Sequence, residues 1–401
     1  MKPLEGVTVI DITRVVAGPF CSMLFADLGA TVIKVEDPQA PDYTRGFPPF
    51  IGEESEDTKF SAFFAQYNRN KLGVTINLRE EEGKELLKKL VKKADILVEN
   101  FRPGVMTKLG VGYEVLKGIN PKLVYTAISG YGQNGPYIKR PAYDNSAQAT
   151  GGLWSMNGLP NHPPLRVGTI IGDLSASMFG SFGTLAAYMH AQRTGEGQIV
   201  DISQQDSVLA LTESAVVNYT VGGNIQEPLG NEHPFVRPYE LFKCADGYIF
   251  FGGYTDKFWK ITCSFFGEPE FATVPEIDTM DKRFDKETYA TKVKPKLEEW
   301  FARYTVAELE EGLADEVPLS PIKNIKQVVE DPQIKAREMI IRSTYPGGLI
   351  EMFGLPIKLS STPGDPTGLA PKVGEHNEKI FGDLLGLSIQ ELEDLNRKGV
   401  I

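Results

Sequence analysis

The first 130 residues alternate between two apolar patterns. Val7-Thr-Val-Ile-Asp-Ile12 is a short run rich in β-branched residues, followed by a Gly18-Pro19 break, and reads as a buried strand. Pro19 then opens a helical spacing of Phe20, Met23, Leu24 and Leu28 that Gly29 closes. Thr31 to Glu36 is the next strand. Arg79 to Ala94 repeats Leu86, Leu87, Leu90 and Val91 at helical spacing, and strands follow at Asp95–Asn100 and Leu123–Ile128. Strands and helices alternating through short connections predict right-handed βαβ crossovers and a parallel sheet. The fold class expected is α/β, with ligands bound beyond the carboxyl ends of the strands.

After Ser129 the texture turns to Gly, Asn, Pro and Tyr. A long helix bearing many small residues is predicted from Leu174 to His190, then a strand at Ile199–Ser203 and a helix from Gln205 to Thr220. Gly222-Gly223 and Pro228 mark a boundary. Beyond it come a hairpin, Tyr239–Cys244 with Tyr248–Phe251 around Asp246-Gly247, and helices, one opened by the capping box Thr305-Val-Ala-Glu308. The last 75 residues read as strands near Met339–Thr344 and Ile357–Leu359 and two helices, the final one capped by Ser388 and Glu391. The organisation expected is a Rossmann-like large domain built from residues 1–225 and a return segment, 326–401, with a smaller α+β domain at 226–325.

Charge narrows the function. The chain has 401 residues, with 42 Lys and Arg against 53 Asp and Glu, a formal charge of −11. So acidic a surface repels nucleic acid and anionic lipid unless basic residues gather locally. No apolar run approaches membrane-spanning length, and three scattered cysteines suggest no disulfide framework. A cytoplasmic protein without nucleic-acid or membrane partners is expected. Gly130-Tyr-Gly132-Gln-Asn-Gly135 satisfies a dinucleotide fingerprint, but Pro136 follows where a helix should start, which argues against NAD. The four histidines lack metal-site spacing, so no metal is expected.

The chemistry points to Val167-Gly-Thr-Ile-Ile-Gly172-Asp173. Asp173 stands where the long helix begins, so it is either an N-cap or a carboxylate nucleophile left uncrowded by Gly172, Ser175, Ala176 and Ser177. At this point the chain resembles the family III CoA-transferases, typified by formyl-CoA transferase and the carnitine CoA-transferases. Eight segments carry the resemblance in order: Pro3–Asp11, Val16–Pro19, Leu28–Glu36, Tyr67–Lys71, Ala94–Gly104, Ser129–Gly132, Gly172-Asp173 and Thr194–Gln198.

The resemblance implies a homodimer of interlocked, ring-like chains, with CoA or acyl-CoA as substrate and no permanently bound cofactor. It implies that Asp173 attacks the donor thioester to give a mixed anhydride, which CoA converts to an aspartyl-CoA thioester before an acceptor carboxylate takes the CoA. The CoA-contacting loops of the family fall on Val16 and Ala17, on Ile76, Asn77, Leu78 and Arg79, on Asn100, Phe101 and Arg102, on Lys108, and on Arg140, Pro141, Ala142 and Tyr143. Phe47 matches a tryptophan near the small substrate of formyl-CoA transferase. Arg45 either meets a second carboxylate or braces its loop.

Departures also count. Val16 replaces a glutamine of formyl-CoA transferase, Asp37 replaces a basic residue, and residues 231–238 lack that enzyme's glycine-rich loop, which argues against oxalate or formate as substrate. His233 and Arg237 of that segment become candidates for lining an acceptor pocket. Ala142 stands where α-methylacyl-CoA racemases of this fold carry a histidine base, so transfer is favoured over racemisation. A non-catalytic CoA-binding protein is the remaining alternative, and it leaves Asp173 unexplained.

Overall fold

Five of the predicted strands and one that the sequence reading passed over, Lys71–Thr75, pair into one sheet: β1 (Thr8–Asp11), β2 (Thr31–Glu36), β3 (Lys71–Thr75), β4 (Ile96–Glu99), β5 (Val124–Ser129) and β6 (Ile199–Ser203). Their order is β3-β2-β1-β4-β5-β6, and every pairing is parallel. Chain direction across the sheet reverses between β1 and β4. The loops leaving those two strands therefore part to leave a crevice at the topological switch point. The computed structural model that shows this describes residues 1–52 and 59–401.

Three helices pack on the sheet: α1 (Ala17–Asp27), α2 (Glu81–Val91) and α3 (Ile171–Thr194). Neighbouring strand residues point to opposite faces, so Val9, Val32 and Val98 meet α1 and α3 while Ile10, Ile33 and Leu97 meet α2. Burial of both faces is why β1, β2, β4 and β5 read as nearly unbroken apolar runs. Ile380, Phe381, Val400 and Ile401 complete the α2 face. The same C-terminal segment covers the edge strand β3: Gly73 N–H donates to His376 Nδ1 (3.1 Å) and Thr75 N–H to Asn377 Oδ1 (2.9 Å).

The small residues of α3 have a packing role. A Cβ at Gly180 would sit 3.2 Å from Ile128 Cδ1 and 3.4 Å from Cys21 Sγ. Ala176, Ala187 and Ala191 are buried along the same side, and the Thr184 and Thr126 hydroxyls meet at 2.6 Å. The helix thus lies close on β5 and α1.

Met1–Leu153, Arg166–Gly222 and Pro332–Ile401 make up this unit, and Trp154–Leu165 with Gly223–Asp331 form a second. The second unit contains β7 (Glu240–Lys243), β8 (Tyr248–Phe251) and β9 (Leu319–Pro321), antiparallel in the order β9-β8-β7, over a core that includes Trp259, Trp300 and Phe301. The excursion 154–165, left in the large domain by the sequence reading, belongs here, where Gly230 N–H bonds Gly158 O at 2.9 Å.

Two element predictions need correction. The helix expected from Gln205 to Thr220 is broken into α4 (Gln204–Leu209) and a turn-and-a-half at Ala215–Thr220, because Glu213 takes a left-handed backbone (φ 53°) between them. Residues 357–359 form no strand. Ile340–Tyr345 pairs instead with Gly348–Phe353 through the two-residue turn Pro346-Gly347. The capping boxes at Thr305 and Ser388 form as their sequences predict. Among the described residues no helix is long and apolar enough to cross a membrane.

Candidate active site

The crevice is shaped by a buried polar network under the loop that follows β1. Asp11, the last residue of β1, takes Lys71 Nζ at 2.8 Å and Ser22 Oγ at 2.7 Å on Oδ2, and the Thr13 N–H at 2.9 Å on Oδ1. Burial opposes its charge, but the Lys71 and Lys34 ammonium groups outweigh burial and hold it well below the usual carboxylate range. For Lys71 burial wins over the Asp11 attraction and brings the amine down to about 8. Lys34 Nζ reaches the Thr13 carbonyl (3.1 Å) and Asp42 Oδ2 (3.5 Å), and that same Asp42 oxygen accepts the Val15 N–H at 3.1 Å. From β4, Asn100 Oδ1 accepts the Arg14 N–H (2.9 Å) while its Nδ2 donates to the Arg14 carbonyl (2.7 Å).

These bonds hold Val15 at φ 70°, a left-handed conformation that a β-branched residue adopts only when its surroundings impose it. The turn delivers Val16 and Ala17 to the start of α1, which no side chain caps. The positive end of the helix dipole therefore lies open at the crevice.

Asp173 arrives from α3. The Ser177 hydroxyl donates to the Ala17 carbonyl at 2.6 Å, tying the two helix starts together. Gly172 donates its N–H to Asp144 Oδ1 at 2.7 Å, and a Cβ there would stand 3.0 Å from the same oxygen, so the approach requires glycine. Asp173 is the third residue of α3 and not its cap: Ile170 holds that position without a side-chain bond. The Asp173 carboxylate is half-buried, with Oδ1 accepting from Gln204 Nε2 and, among the described residues, no hydrogen bond on Oδ2. Burial, and then the Asp144 carboxylate, push Asp173 up to about 7 against the opposing Gln204 bond.

A cavity of about 370 Å³ opens in front of this carboxylate. Of the residues singled out from sequence, Val16, Ala17, Asn100, Phe101, Arg102, Ala142, Tyr143 and Asp173 line it. A second cavity, about 250 Å³, shares Arg14 and Phe101 with the first and adds Ile76, Leu78 and Arg79. The sequence reading missed Arg14, Tyr43, Ser129, Gly130 and Gln204, all on the first cavity's wall. Ser129, Gly130 and Gln204 directly end or follow β5 and β6, and Arg14 lies in the loop leaving β1, so the strand-end rule finds these four once the strand order is known.

Other candidates are placed differently. Asn77 is buried, accepting the Arg79 N–H at 3.1 Å and donating its own N–H to Val400 O at 2.7 Å, so it shapes the second cavity from behind. Lys108 ends the short helix Val105–Lys108 in an exposed position, and Arg140, next to exposed Pro141, lies 3.6 Å from the Tyr137 ring centroid. Arg45 braces its loop: both Glu36 oxygens and the Pro371 carbonyl take its N–H groups, and Phe64 stacks beneath it at 3.8 Å. Phe47 sits in an aromatic row, 5.6 Å from Tyr43 and 5.5 Å from Phe63, which continues to Tyr67. His233 and Arg237 lie in the second unit. His233 Nδ1 accepts the Phe235 and Val236 N–H groups, and Arg237 donates to Phe284 O at 3.3 Å.

The first unit thus presents an α/β switch-point cleft with cations on its walls and one uncommitted carboxylate oxygen. The sequence model described as CoA-transferase family III matches residues 4–377. A succinyl-CoA–D-citramalate CoA-transferase of Chloroflexus aurantiacus is 38% identical, covering 100% of this chain and 98% of that protein. A succinyl-CoA:mesaconate CoA-transferase of Haloarcula marismortui is 36% identical with 96% of each covered. The crystal structure of a CAIB/BAIF family protein from Brucella suis superposes with a TM-score of 0.84 at 34% identity, over 96% of this chain and 99% of that one. The chain belongs to CoA-transferase family III and is a CoA-transferase.

Proposed function

We propose that this enzyme moves CoA from succinyl-CoA to a small carboxylic acid, with Asp173 as the covalent nucleophile. The observation that carries the reading is the Asp173 carboxylate, fixed through Oδ1 and open at Oδ2, at the mouth of a cavity beside the uncapped start of α1. The donor follows from the relatives whose names specify succinyl-CoA. Oδ2 attacks the thioester, the anhydride passes to an aspartyl-CoA thioester, and the acceptor acid reverses the sequence. One thioester replaces another, so no ATP is needed. Arg79 and Arg102, joined by Arg14, supply guanidinium groups for the phosphates of CoA. Tyr43, on the cavity wall and packed against Phe47, is the surface against which the acid's carbon chain packs.

Racemisation finds less support, because Ala142, at the position of the racemase histidine, cannot take a proton. The working form in this reading is the homodimer. Phe182 (75% exposed) and Met189 (60%) of α3 leave apolar surface bare for a second copy.

The test is mass spectrometry of CoA esters after mixing the protein with succinyl-CoA and a panel of dicarboxylic and hydroxy acids. A new acyl-CoA without ATP, absent from Asp173→Ala, is the expected result. Transfer that survives in Asp173→Ala would refute the assignment.

A further inference from the structure

Gln204 reaches Asp173 from a different part of the chain. It follows the last residue of β6 and starts α4, where its position is held on several sides. Ser203 pairs with Ser129 across the sheet and caps α4 by accepting the Asp206 N–H at 3.1 Å, and Gln205 N–H donates to the Gly130 carbonyl at 3.1 Å. Gln204 itself is 7% exposed. Its Nε2 amide donates to Asp173 Oδ1, the bond that the ionised form of the carboxylate, which only accepts, can take.

We propose that Gln204 is a catalytic residue that keeps Oδ1 as the carbonyl oxygen of Asp173 throughout turnover and stabilises the negative charge that collects there. The proposal rests on the aspartyl route above. In that route Oδ2 adds to the thioester carbon and CoA thiolate leaves, giving an anhydride bridged by Oδ2. The thiolate adds to Cγ of Asp173, and the carbonyl electron pair moves onto Oδ1. Collapse breaks the Cγ–Oδ2 bond, and the donor acid departs with Oδ2. The acceptor carboxylate then adds to Cγ, charging Oδ1 a second time, and expels CoA thiolate. Finally the thiolate adds to the acceptor's acyl carbon, and Asp173 is released with one oxygen taken from the acceptor. Two of the four additions place an oxyanion on Oδ1, where an amide donor already in position binds it more strongly than it binds the ground-state carbonyl.

Oxygen labelling tests this directly. The protein is turned over with succinyl-CoA and succinate carrying oxygen-18 in every carboxyl position, then digested, and the peptide containing Asp173 is weighed. A held Oδ1 predicts one heavy oxygen and no more, however many turnovers pass. Gln204→Leu is expected to lose about 10²- to 10³-fold in kcat with a KM for the acid within a few fold of wild type. Its freed carboxylate takes up two heavy oxygens. Two heavy oxygens in the wild-type peptide would overturn the role of Gln204 while leaving the aspartyl route intact. A single heavy oxygen and near-normal kcat in Gln204→Leu would also overturn it. No heavy oxygen in the wild-type peptide would overturn the aspartyl route itself, and the role of Gln204 with it. The wild-type measurement stands even if the variant does not fold.

Discussion

Replacing Asp144 by asparagine isolates one cause of the raised Asp173 pKa. Asp144 is buried, with Oδ1 accepting the Gly172 N–H and Oδ2 accepting Gln148 Nε2, both at 2.7 Å. Asparagine keeps the first bond but turns its Nδ2 toward Gln148 Nε2, which is also bonded to the Thr169 carbonyl at 3.1 Å. That donor–donor contact costs about 1–3 kcal/mol of stability. Activity responds in the opposite sense. Burial is the largest cause of the climb from 3.8 to about 7 and the Asp144 charge the next, so removing the charge brings Asp173 down by about one pH unit, or about 1.4 kcal/mol. In the aspartyl route proposed above the nucleophile is the ionised form, so kcat/KM is expected to fall as pH drops through this pKa. The wild-type acid limb is centred near pH 7, and that of Asp144→Asn about one unit lower. At pH 6 the variant then retains about fivefold more of its plateau activity than wild type. Acyl-CoA formation measured between about pH 5.5 and 8.5 reads the limb directly. A limb that stays in place or moves upward would refute the electrostatic argument.

Lys71→Met strands the Asp11 carboxylate in the interior and is expected to cost about 3–5 kcal/mol in urea unfolding; a loss below about 1 kcal/mol would show that the pair contributes little. Val15→Gly relieves a left-handed valine and should raise unfolding stability by up to about 1 kcal/mol, whereas a clear loss would mean that the side chain, half-buried on the cavity wall, matters more than the backbone strain. Arg102→Ala should raise the KM for acyl-CoA about tenfold while kcat changes less than about twofold; a matching fall in kcat would place Arg102 in the chemical step.

What the sequence made legible was local. Strand runs, the α2 spacing, the capping boxes and the small residues of α3 are each written in a few consecutive positions, and the Gly172-Asp173 pair was legible as either a helix start or a nucleophile. What stayed hidden depends on contacts between distant residues. Nothing near Arg45 announces that Glu36 occupies its guanidinium, and nothing near Asn100 shows that its amide closes on the Arg14 backbone. The left-handed turn at Val15 was equally silent, because the carboxylate that holds it, Asp42, lies 27 residues away. Gln204 fell unassigned between the strand read up to Ser203 and the helix read from Gln205, until the fold brought it across 31 positions to Asp173.

The return of the C-terminal segment to β3 has a consequence for synthesis. Every residue on the wall of the Asp173 cavity has been polymerised once Gln204 is added. The α2 face of the sheet, by contrast, lacks Ile380, Phe381, Val400 and Ile401 until residues 380–401 leave the ribosome. A nascent chain therefore carries the residues of the Asp173 cavity on a sheet with one apolar face incompletely covered and one edge strand open, throughout translation of the second unit. Chaperone capture is expected in that interval, and ribosome-bound chains halted near residue 330 are the species in which to look for it.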